Sequence, residues 1–198
     1  TPNLDAWINN AVEVLEGMVN VDLKLRTMVA GVYDHGYIVA YERVADHMPG
    51  GDAPRHRLWR IRTDQVIAAT GALERPLSFP GNDKPGVMLA SAVRDYVVNW
   101  GVAPGDRTVV VTNNDDAYRT ALALADAGLE VPCIVDTRGD SGGPLVHEAR
   151  ARGLRVLTGM GIAGVKGLRG VVSVQLCRQD GTGEGIEDVI CDAVAMSG

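Results

Sequence analysis

Apolar residues recur at two spacings near the start of the chain, and these spacings predict one helix followed by several strands. The apolar positions from Leu4 to Met18 follow the period of a helix. The alternation within 21–25 predicts a strand, and "TMVAGVY" and "YIVAYERV" predict two more that meet at the turn Asp34-His35-Gly36. A further strand is predicted at "RLWRIR", so this region should form a small antiparallel meander.

A second region, after residue 77, alternates short buried strands with helices, which is typical of an α/β fold with a parallel sheet. Before it, an apolar run at Val66–Ala69 predicts a buried strand that ends at Thr70-Gly71 and leads into a linker rich in Pro and Gly. The predicted elements of the second region are a helix near 89–100, a strand at 109–111, a helix at 116–127, a strand at 131–135, a helix from Pro144, a strand in "LRVLTG" and an antiparallel tail.

These patterns predict the α/β fold class: Rossmann-like dinucleotide-binding folds with a parallel sheet, plus a small antiparallel β-meander. Residues 1–76 are predicted to be the C-terminal part of a first dinucleotide-binding fold, including the meander. Residues 77–190 are predicted to form a second, Rossmann-like domain of NAD type. Residues 191–198 are predicted to be a strand that returns to the first fold.

The net charge, the apolar runs and the cysteine spacing argue against several classes of protein. The formal net charge is −6 and Lys and Arg form no dense run, which argues against a nucleic-acid partner. No apolar run reaches the length of a membrane span, so no membrane partner is expected. Cys133, Cys177 and Cys191 lack the spacing of metal ligands, and reduced thiols of a cytoplasmic protein are the simplest interpretation.

The turn "TNNDDAY", between the strand at 109–111 and the helix after it, is the first candidate for chemistry. In dinucleotide-binding units, glycines in this turn let a pyrophosphate reach the free N–H groups of the helix N-terminus. The glycine positions here hold Asn113, Asp115 and Tyr118. We expect Asp115 and Asp116 to cap the helix and to occupy the donors that a phosphate would need.

Asp136 ends the next predicted strand, where an acidic residue of such units binds a ribose hydroxyl. Arg138 follows it and can offset its charge. With Asn113 and Asn114, these residues are candidates for a second nucleotide site. The alternative is a structural strand–helix–strand unit whose helix is capped by its own aspartates. The layout fits the first interpretation and the absence of glycines fits the second.

The string "GDSGGP" at 139–144 matches the nucleophile loop of chymotrypsin-like serine proteases. That chemistry requires a His base and an Asp in a defined arrangement around the serine. The string here lies between a predicted parallel strand and a helix, whereas those proteases are all-β. We therefore expect that Ser141 is not a nucleophile and that the protein is not a serine hydrolase.

The order of the elements, the strand ending in "ATG" and the terminal "CDAVAMSG" resemble flavoproteins with two dinucleotide domains, of the glutathione reductase and thioredoxin reductase type. Longer strings narrow the resemblance to the α subunit of heterotetrameric sarcosine oxidase. These strings are "VYDHGYIVAYERVADHMPG", "RLWRIRTDQVIAATGALERPLSFPGNDKPGVMLASAVRDY", "TNNDDAYRTALALADAG" and "CDAVAMSG". The resemblance covers nearly the whole chain and implies an internal fragment of such a subunit.

The resemblance implies that the full complex oxidises sarcosine to glycine and formaldehyde and produces hydrogen peroxide. It also implies NAD bound to the α subunit, flavins in or at partner subunits, and the other subunits of a hetero-oligomeric oxidase as partners. No catalytic residue and no metal are expected in this segment, which alone should not oxidise amines. The cofactor-binding residues that it indicates are Val29, Thr70, Gly71, Ser197 and Gly198 for the first fold, and Asn113, Asn114, Asp136 and Arg138 for the second.

Two functions of different kinds follow. The first is the NAD-binding region of an oxidoreductase that resembles the sarcosine oxidase α subunit. The alternative is a non-catalytic scaffold that docks partner subunits and carries a vestigial second nucleotide site.

Overall fold

The computed structural model describes residues 4–48 and 50–198. The chain forms two compact units that divide between Gly71 and Ala72. The sequence places this boundary after residue 76, within the linker, whereas the observed division lies at the start of that linker.

The first unit contains one helix and a three-stranded antiparallel sheet in the order β1-β2-β3. Its elements are α1 (Leu4–Glu16), β1 (Thr27–Tyr33), β2 (Tyr37–Arg43) and β3 (His56–Arg62). The turn between β1 and β2 needs glycine, because Gly36 has a φ of 64° and a Cβ there would collide with the carbonyl oxygen of Thr63. The predicted meander is confirmed.

Two predicted strands of the first unit are wrong. Residues 21–25 and Val66–Ala69 have no strand structure and no ladder partner among the described residues. Ile67, which the apolar run marks as buried, is 91% exposed. An apolar pattern shows that a segment can be buried in a sheet, but a strand forms only where a neighbour accepts and donates its backbone hydrogen bonds.

The second unit is a three-layer α/β fold. A parallel sheet in the order β4-β11-β5-β6-β7 lies between a helical layer and an antiparallel sheet in the order β10-β9-β8. The bounds are β4 (Val87–Leu89), α2 (Ala90–Trp100), β5 (Thr108–Thr112), α3 (Asp116–Asp126), β6 (Ile134–Asp136), α4 (Pro144–Ala151), β7 (Val156–Thr158), β8 (Met160–Lys166), β9 (Ser173–Arg178), β10 (Gly185–Ile190) and β11 (Ala193–Ser197).

Side-chain alternation along the parallel strands makes both cores. Val109 and Val111 of β5 pack in the cluster shared with the antiparallel sheet, whereas Val110 packs in the cluster shared with the helices. All five residues of β5 are buried, as expected for a strand covered on both faces. The predicted α/β class with a parallel sheet and an antiparallel meander is confirmed.

Strand β11 corrects the prediction that 191–198 returns to the first fold. It lies inside the parallel sheet of the second unit, paired with β4 on one side and β5 on the other. All five of its residues are buried. The apolar pattern identifies a buried strand, but the choice of sheet depends on long-range pairing that the pattern does not encode.

Helix ends follow their predicted signals. Gly101 ends α2 in the left-handed conformation, with a φ of 62°, and the N–H of the next residue, Val102, donates to the carbonyl of Tyr96 at 3.0 Å. Pro144 occupies the first turn of α4. Within 4–48 and 50–198, none of the helices combines the length and apolar character needed to cross a lipid bilayer.

Candidate functional site

The carboxyl ends of β5, β6 and β11 meet at one edge of the parallel sheet. Thr112 lies beside Ser197 on one side and beside Asp136 on the other. In open α/β sheets, ligands bind outside this edge. The structure brings together there most of the residues that the sequence indicates: Asn113, Asn114, Asp136, Arg138, Ser197 and Gly198.

Asn114 closes the N-terminus of α3. Its side-chain Oδ1 accepts hydrogen bonds from the backbone N–H groups of Asp116 and Ala117, at 3.0 Å and 3.4 Å. Its Nδ2 donates to the hydroxyl of Ser197 at 2.8 Å. The cap is therefore the amide of Asn114 and not the predicted aspartates. The N–H groups that would hold a pyrophosphate already have an acceptor within the chain.

Asp136 is fully buried and receives hydrogen bonds on both oxygens. The backbone N–H and the Nε of Arg138 donate to Oδ1, each at 3.0 Å, while Tyr118 Oη and Arg138 Nη2 donate to Oδ2, each at 2.8 Å. A carboxylate offers about four lone-pair directions, so its accepting capacity is used. Asp136 is not free to accept a ribose hydroxyl.

Burial and hydrogen bonding act on Asp136 in opposite directions. Burial alone would raise the pKa of Asp136, but the bonds from Arg138 and Tyr118 outweigh it and hold the pKa below the ordinary 3.8. Burial, with the nearby Asp136 carboxylate, raises the pKa of Tyr118 to about 12. The tyrosine hydroxyl therefore stays protonated and donating at neutral pH.

Arg138 joins this carboxylate to the start of α3. Its Nη2 lies 2.8 Å from Asp136 Oδ2 and 2.8 Å from Asp115 Oδ1. The hydrogen bonding that Arg138 donates to the Asp136 carboxylate is the largest cause that raises the pKa of Arg138 above its already high value. The cation that could have met a ligand phosphate is therefore held between two carboxylates of its own chain.

Tyr118 and Asp115 are the members of this network that sequence reasoning missed as partners of Asp136 and Arg138. Tyr118 occupies a position that is glycine in a phosphate-binding turn, and it is fully buried. A large polar side chain on the apolar face of a helix needs a buried partner for its hydroxyl. The buried acid at the end of the adjacent strand was the signal for that partner.

Ser197 and Gly198 belong to the second unit, and the remaining predicted residues lie in the first. Ser197 is 1% exposed, and the N–H of Gly198 donates to the carbonyl of Arg75 at 2.8 Å, so both contribute to the second unit. Val29, Thr70 and Gly71 belong to the first unit. There, Val29 is 58% exposed and Gly71 has a φ of 72°. A cavity of about 610 Å³ lies against the strand face that carries Val29 and Trp59.

Ser141 does not have the surroundings of a nucleophile. Its residue is 4% exposed, in the loop between β6 and α4. Among the described residues, no hydrogen bond joins its hydroxyl to a histidine, whereas a serine nucleophile needs such a base. The "GDSGGP" string is a helix entry in this fold.

The cysteines and acidic groups also have structural surroundings. Burial raises the pKa of Cys133 to about 11 and that of Cys191 to about 12, so both remain thiols at neutral pH. Across 4–48 and 50–198, His, Cys, Asp and Glu side chains form no group that could hold a metal ion.

The parallel sheet, its helical layer and the acid at the end of β6 define the second unit as a Rossmann-like α/β fold. Thioredoxin reductase of T. acidophilum has this fold, with a TM-score of 0.60 and 13% identity over 98% of this chain and 57% of that one. An NAD-dependent persulfide reductase of A. fulgidus has it too, with a TM-score of 0.56 and 14% identity over 93% of this chain and 33% of that one.

Proteins that are similar in sequence indicate a narrower family than the similar solved structures do. The chain is 39% identical to the sarcosine oxidase subunit alpha of Rhizobium meliloti (strain 1021), over 93% of this chain and 18% of that protein. It is 42% identical to the subunit alpha of Corynebacterium sp. (strain P-1), over 78% of this chain and 16% of that protein. The resemblance to sarcosine oxidase α subunits is confirmed, and the chain spans less than a fifth of the length of these two relatives. No protein-family model matches the chain.

Proposed function

We propose that this chain is the NAD-binding region of a sarcosine oxidase-type α subunit and that the nucleotide contacts the first unit. In the full complex, partner subunits that carry flavin would oxidise sarcosine to glycine and formaldehyde, with hydrogen peroxide as the second product. The relatives named as sarcosine oxidase subunit alpha support the α-subunit part of this proposal, since they match 93% and 78% of this chain.

One observation carries the choice between the two units. Asp136, the acid that would bind a ribose in the second unit, is fully buried and accepts four hydrogen bonds from its own chain. A nucleotide there would have to displace these bonds and the Asn114 cap before it gained its own. The residues of the second unit's edge therefore do not fit NAD.

The first unit offers the more open surface. Gly71 has a left-handed φ of 72°, and within the described part of the chain nothing lies within 4 Å of the position of a Cβ on it. A glycine of this kind lets a ligand approach the backbone closely. We propose that Thr70 and Gly71 contact the nucleotide there and that Val29 contacts its adenine through the strand backbone.

A matched pair of glycines tests this proposal. Gly71 and Gly50 both have positive φ, at 72° and 81°, and both face open space among the described residues. Substitution of either by Ala imposes a comparable backbone strain. In calorimetric titrations with NAD, we expect saturable binding that Gly71→Ala weakens by about tenfold or more, which corresponds to about 1.4 kcal/mol, and that Gly50→Ala retains.

The alternative function is a scaffold that docks partner subunits. The edge of the parallel sheet in the second unit favours it, because this edge is closed: its polar side chains are hydrogen-bonded to one another. The same titration separates the two functions. Absence of binding at millimolar NAD would contradict the NAD-binding function and favour the scaffold. Equal binding by the wild type and Gly71→Ala would contradict the placement of the nucleotide at Gly71.

A further inference from the structure

A row of three side chains crosses one face of the antiparallel sheet in the first unit. Val29 of β1 lies opposite Ala40 of β2, and Ala40 lies opposite Trp59 of β3. Residues directly opposite one another share a face of the sheet. Because neighbouring strands are about 4.8 Å apart, the backbones of Val29 and Trp59 are separated by roughly 10 Å, and the small side chain of Ala40 lies between them. This gap accounts for the cavity of about 610 Å³ that the three residues help to line.

The indole ring of Trp59 has a fixed place in this cavity. Trp59 is half-buried, whereas the rest of β3 is exposed. Its Nε1–H donates to Glu42 Oε2 at 2.7 Å, and the same oxygen accepts from Arg57 Nη1 at 3.1 Å. A carboxylate that binds the N–H edge limits the rotation of the ring. The cavity therefore presents a preorganised flat surface, on which a planar base can stack.

The ammonium group of Lys24 lies over this ring, 4.8 Å from its centroid. The π electrons of the indole attract a cation in this position. The carboxylate partner of Lys24 is Asp22, whose side chain is 74% exposed, and such an ion pair contributes little. Arg57 lies 5.4 Å from the same centroid but is bonded to Glu42. Lys24 is therefore the cation that a ligand can draw away from the ring.

The walls of the cavity match the parts of a nucleotide. Val29 and Ile61 are apolar, Trp59 is aromatic and Lys24 is charged. The volume lies within the range of about 300–1,000 Å³ that is usual for small-molecule sites. A base has a π face for the indole, and phosphate oxygens accept strong hydrogen bonds from an ammonium group. A ligand that carries both groups uses the ring and the cation together.

We propose that the adenine base of the nucleotide stacks on Trp59 and that the Lys24 ammonium leaves the ring and binds the phosphate groups. This inference rests on the proposed contact between the nucleotide and the first unit, and it adds the side chains that recognise the adenine half. Strand β1 is the outer strand of its sheet among the described residues, and its register with β2 shifts directly after Val29. Such a bulge exposes backbone groups that the edge of the base can meet.

ADP carries the adenine half of NAD and tests the stacking surface in calorimetric titrations. We expect the wild type to bind ADP saturably and Trp59→Leu to bind it about tenfold more weakly, which is the scale of one stacked base. Trp59→Phe keeps an aromatic ring and should weaken binding by less than about threefold. Trp100→Leu, at a tryptophan of the second unit that is 70% exposed, is the matched control and should bind ADP as the wild type does.

A second pair of variants tests the cation. Lys24→Met keeps the length of the side chain and removes its charge. It should weaken ADP binding by about fivefold, the scale of one exposed ion pair, and should not weaken binding of adenosine, which has no phosphate. Arg57→Met is the matched control, because it also removes one positive charge beside the ring. Since Glu42 holds that guanidinium, the affinities for ADP and adenosine should change by the same factor.

Fluorescence provides a measurement that leaves Trp59 unchanged. Trp59 is the remaining tryptophan in Trp7→Phe/Trp100→Phe. Saturating ADP should quench its emission, because a stacked base contacts the ring directly. An emission spectrum that ADP does not alter would overturn the proposal, even if circular dichroism shows that Trp59→Leu is unfolded.

NAD titrations separate this proposal from the function on which it rests. Absence of saturable NAD binding by the wild type would overturn both. Three results would overturn the stacking proposal alone: equal NAD binding by the wild type and Trp59→Leu, NAD binding without ADP binding at millimolar concentration, or an equal loss of ADP and adenosine affinity in Lys24→Met. The nucleotide would then contact the first unit away from Trp59.

Discussion

The candidate nucleotide-binding residues are exposed in the first unit and buried in the second. In the first unit, Val29 is 58% exposed and Gly71 faces open space within the described residues. In the second, Asp136 has no exposed surface and Ser197 has 1%. The second unit has the better dinucleotide layout of strand, helix and terminal acid, yet its polar groups are bonded to one another.

This difference shows that the layout of a dinucleotide fold and the capacity to bind a ligand are separate properties. The layout comes from apolar periodicity, which builds a parallel sheet with helices. Binding also requires free donors and acceptors at the sheet edge, because each bond to a ligand competes with bonds that already exist. In the second unit, Asn114, Asp115 and Tyr118 occupy the positions of the glycines or their neighbours and satisfy those groups internally.

Among the changes that test this comparison, removal of the buried acid Asp136 should have the largest effect on the free energy of unfolding. Asp136→Ala leaves the Tyr118 hydroxyl and the Arg138 guanidinium without their shared acceptor, and we expect it to lower the free energy of unfolding by about 3 kcal/mol. Asp116→Ala, at an exposed acid of the same edge, should stay within about 0.5 kcal/mol of the wild type. Urea unfolding followed by circular dichroism measures both, and equal costs would show that the network is not what stabilises the edge.

Low pH should weaken the hydrogen-bond network around Asp136. The folded-state pKa of Asp136 is lowered from 3.8, so its contribution to stability is fully present above that value and is lost as the pH falls through the lower folded pKa. Asp136→Asn cannot lose this contribution, since it has no proton to gain. The stability difference between the wild type and Asp136→Asn should therefore shrink below about pH 4 in a series of urea titrations. A difference that stays constant down to about pH 2 would contradict the assigned ionisation.

Alanine substitutions at the adjacent glycines Gly142 and Gly143 should differ in their cost to stability by an intermediate amount. Gly143→Ala places a methyl group against Asp115 and should displace it from Arg138, at a cost of about 1.5 kcal/mol. Gly142→Ala meets open space among the described residues and should be neutral or slightly stabilising, because it restricts the unfolded chain. Thermal unfolding of the two variants should differ by several degrees. A reversal of their order would show that the carboxylate is not held against Gly143.

A smaller loss is expected from Tyr118→Phe. The change removes one of the hydrogen bonds to Asp136 and leaves those from Arg138, so we expect a cost of about 1 kcal/mol. Because the hydroxyl also helps to lower the pKa of Asp136, the acid limb of stability should move to higher pH in this variant. An unchanged acid limb would mean that Tyr118 only fills space.

The smallest effect is expected in the first unit. Val29→Ala changes an exposed side chain on β1 and should alter the free energy of unfolding by no more than about 0.5 kcal/mol. Val110→Ala, at a fully buried position of β5, is the contrasting variant and should cost about 2 kcal/mol or more. Similar costs for both would contradict the difference in burial between the units.

The sequence predicts the fold class well because buried strands and helix ends have local signals, such as the apolar run at 109–111, Gly101 and Pro144. It does not predict that β11 pairs with β4 and β5, since that choice depends on contacts far apart in the chain. Asn113, Asn114, Asp136 and Arg138 are predicted as candidates because they lie at or just after the ends of predicted strands. The hydrogen bonds that join these polar side chains to one another are not predicted. The bonds of Asn114 to Ser197 and of Tyr118 to Asp136 depend on side-chain directions that no local pattern specifies.

The most direct test is amide hydrogen exchange of the chain with and without saturating NAD. If the second unit's edge is closed and the nucleotide contacts the first unit, protection should increase at 70–71 and in β1, while 112–118 and 136–143 exchange at unchanged rates. Protection that increases at 112–118 and 136–143 would contradict the closed edge, because a bound nucleotide would then be displacing Asn114, Asp115 or Asp136 from their partners.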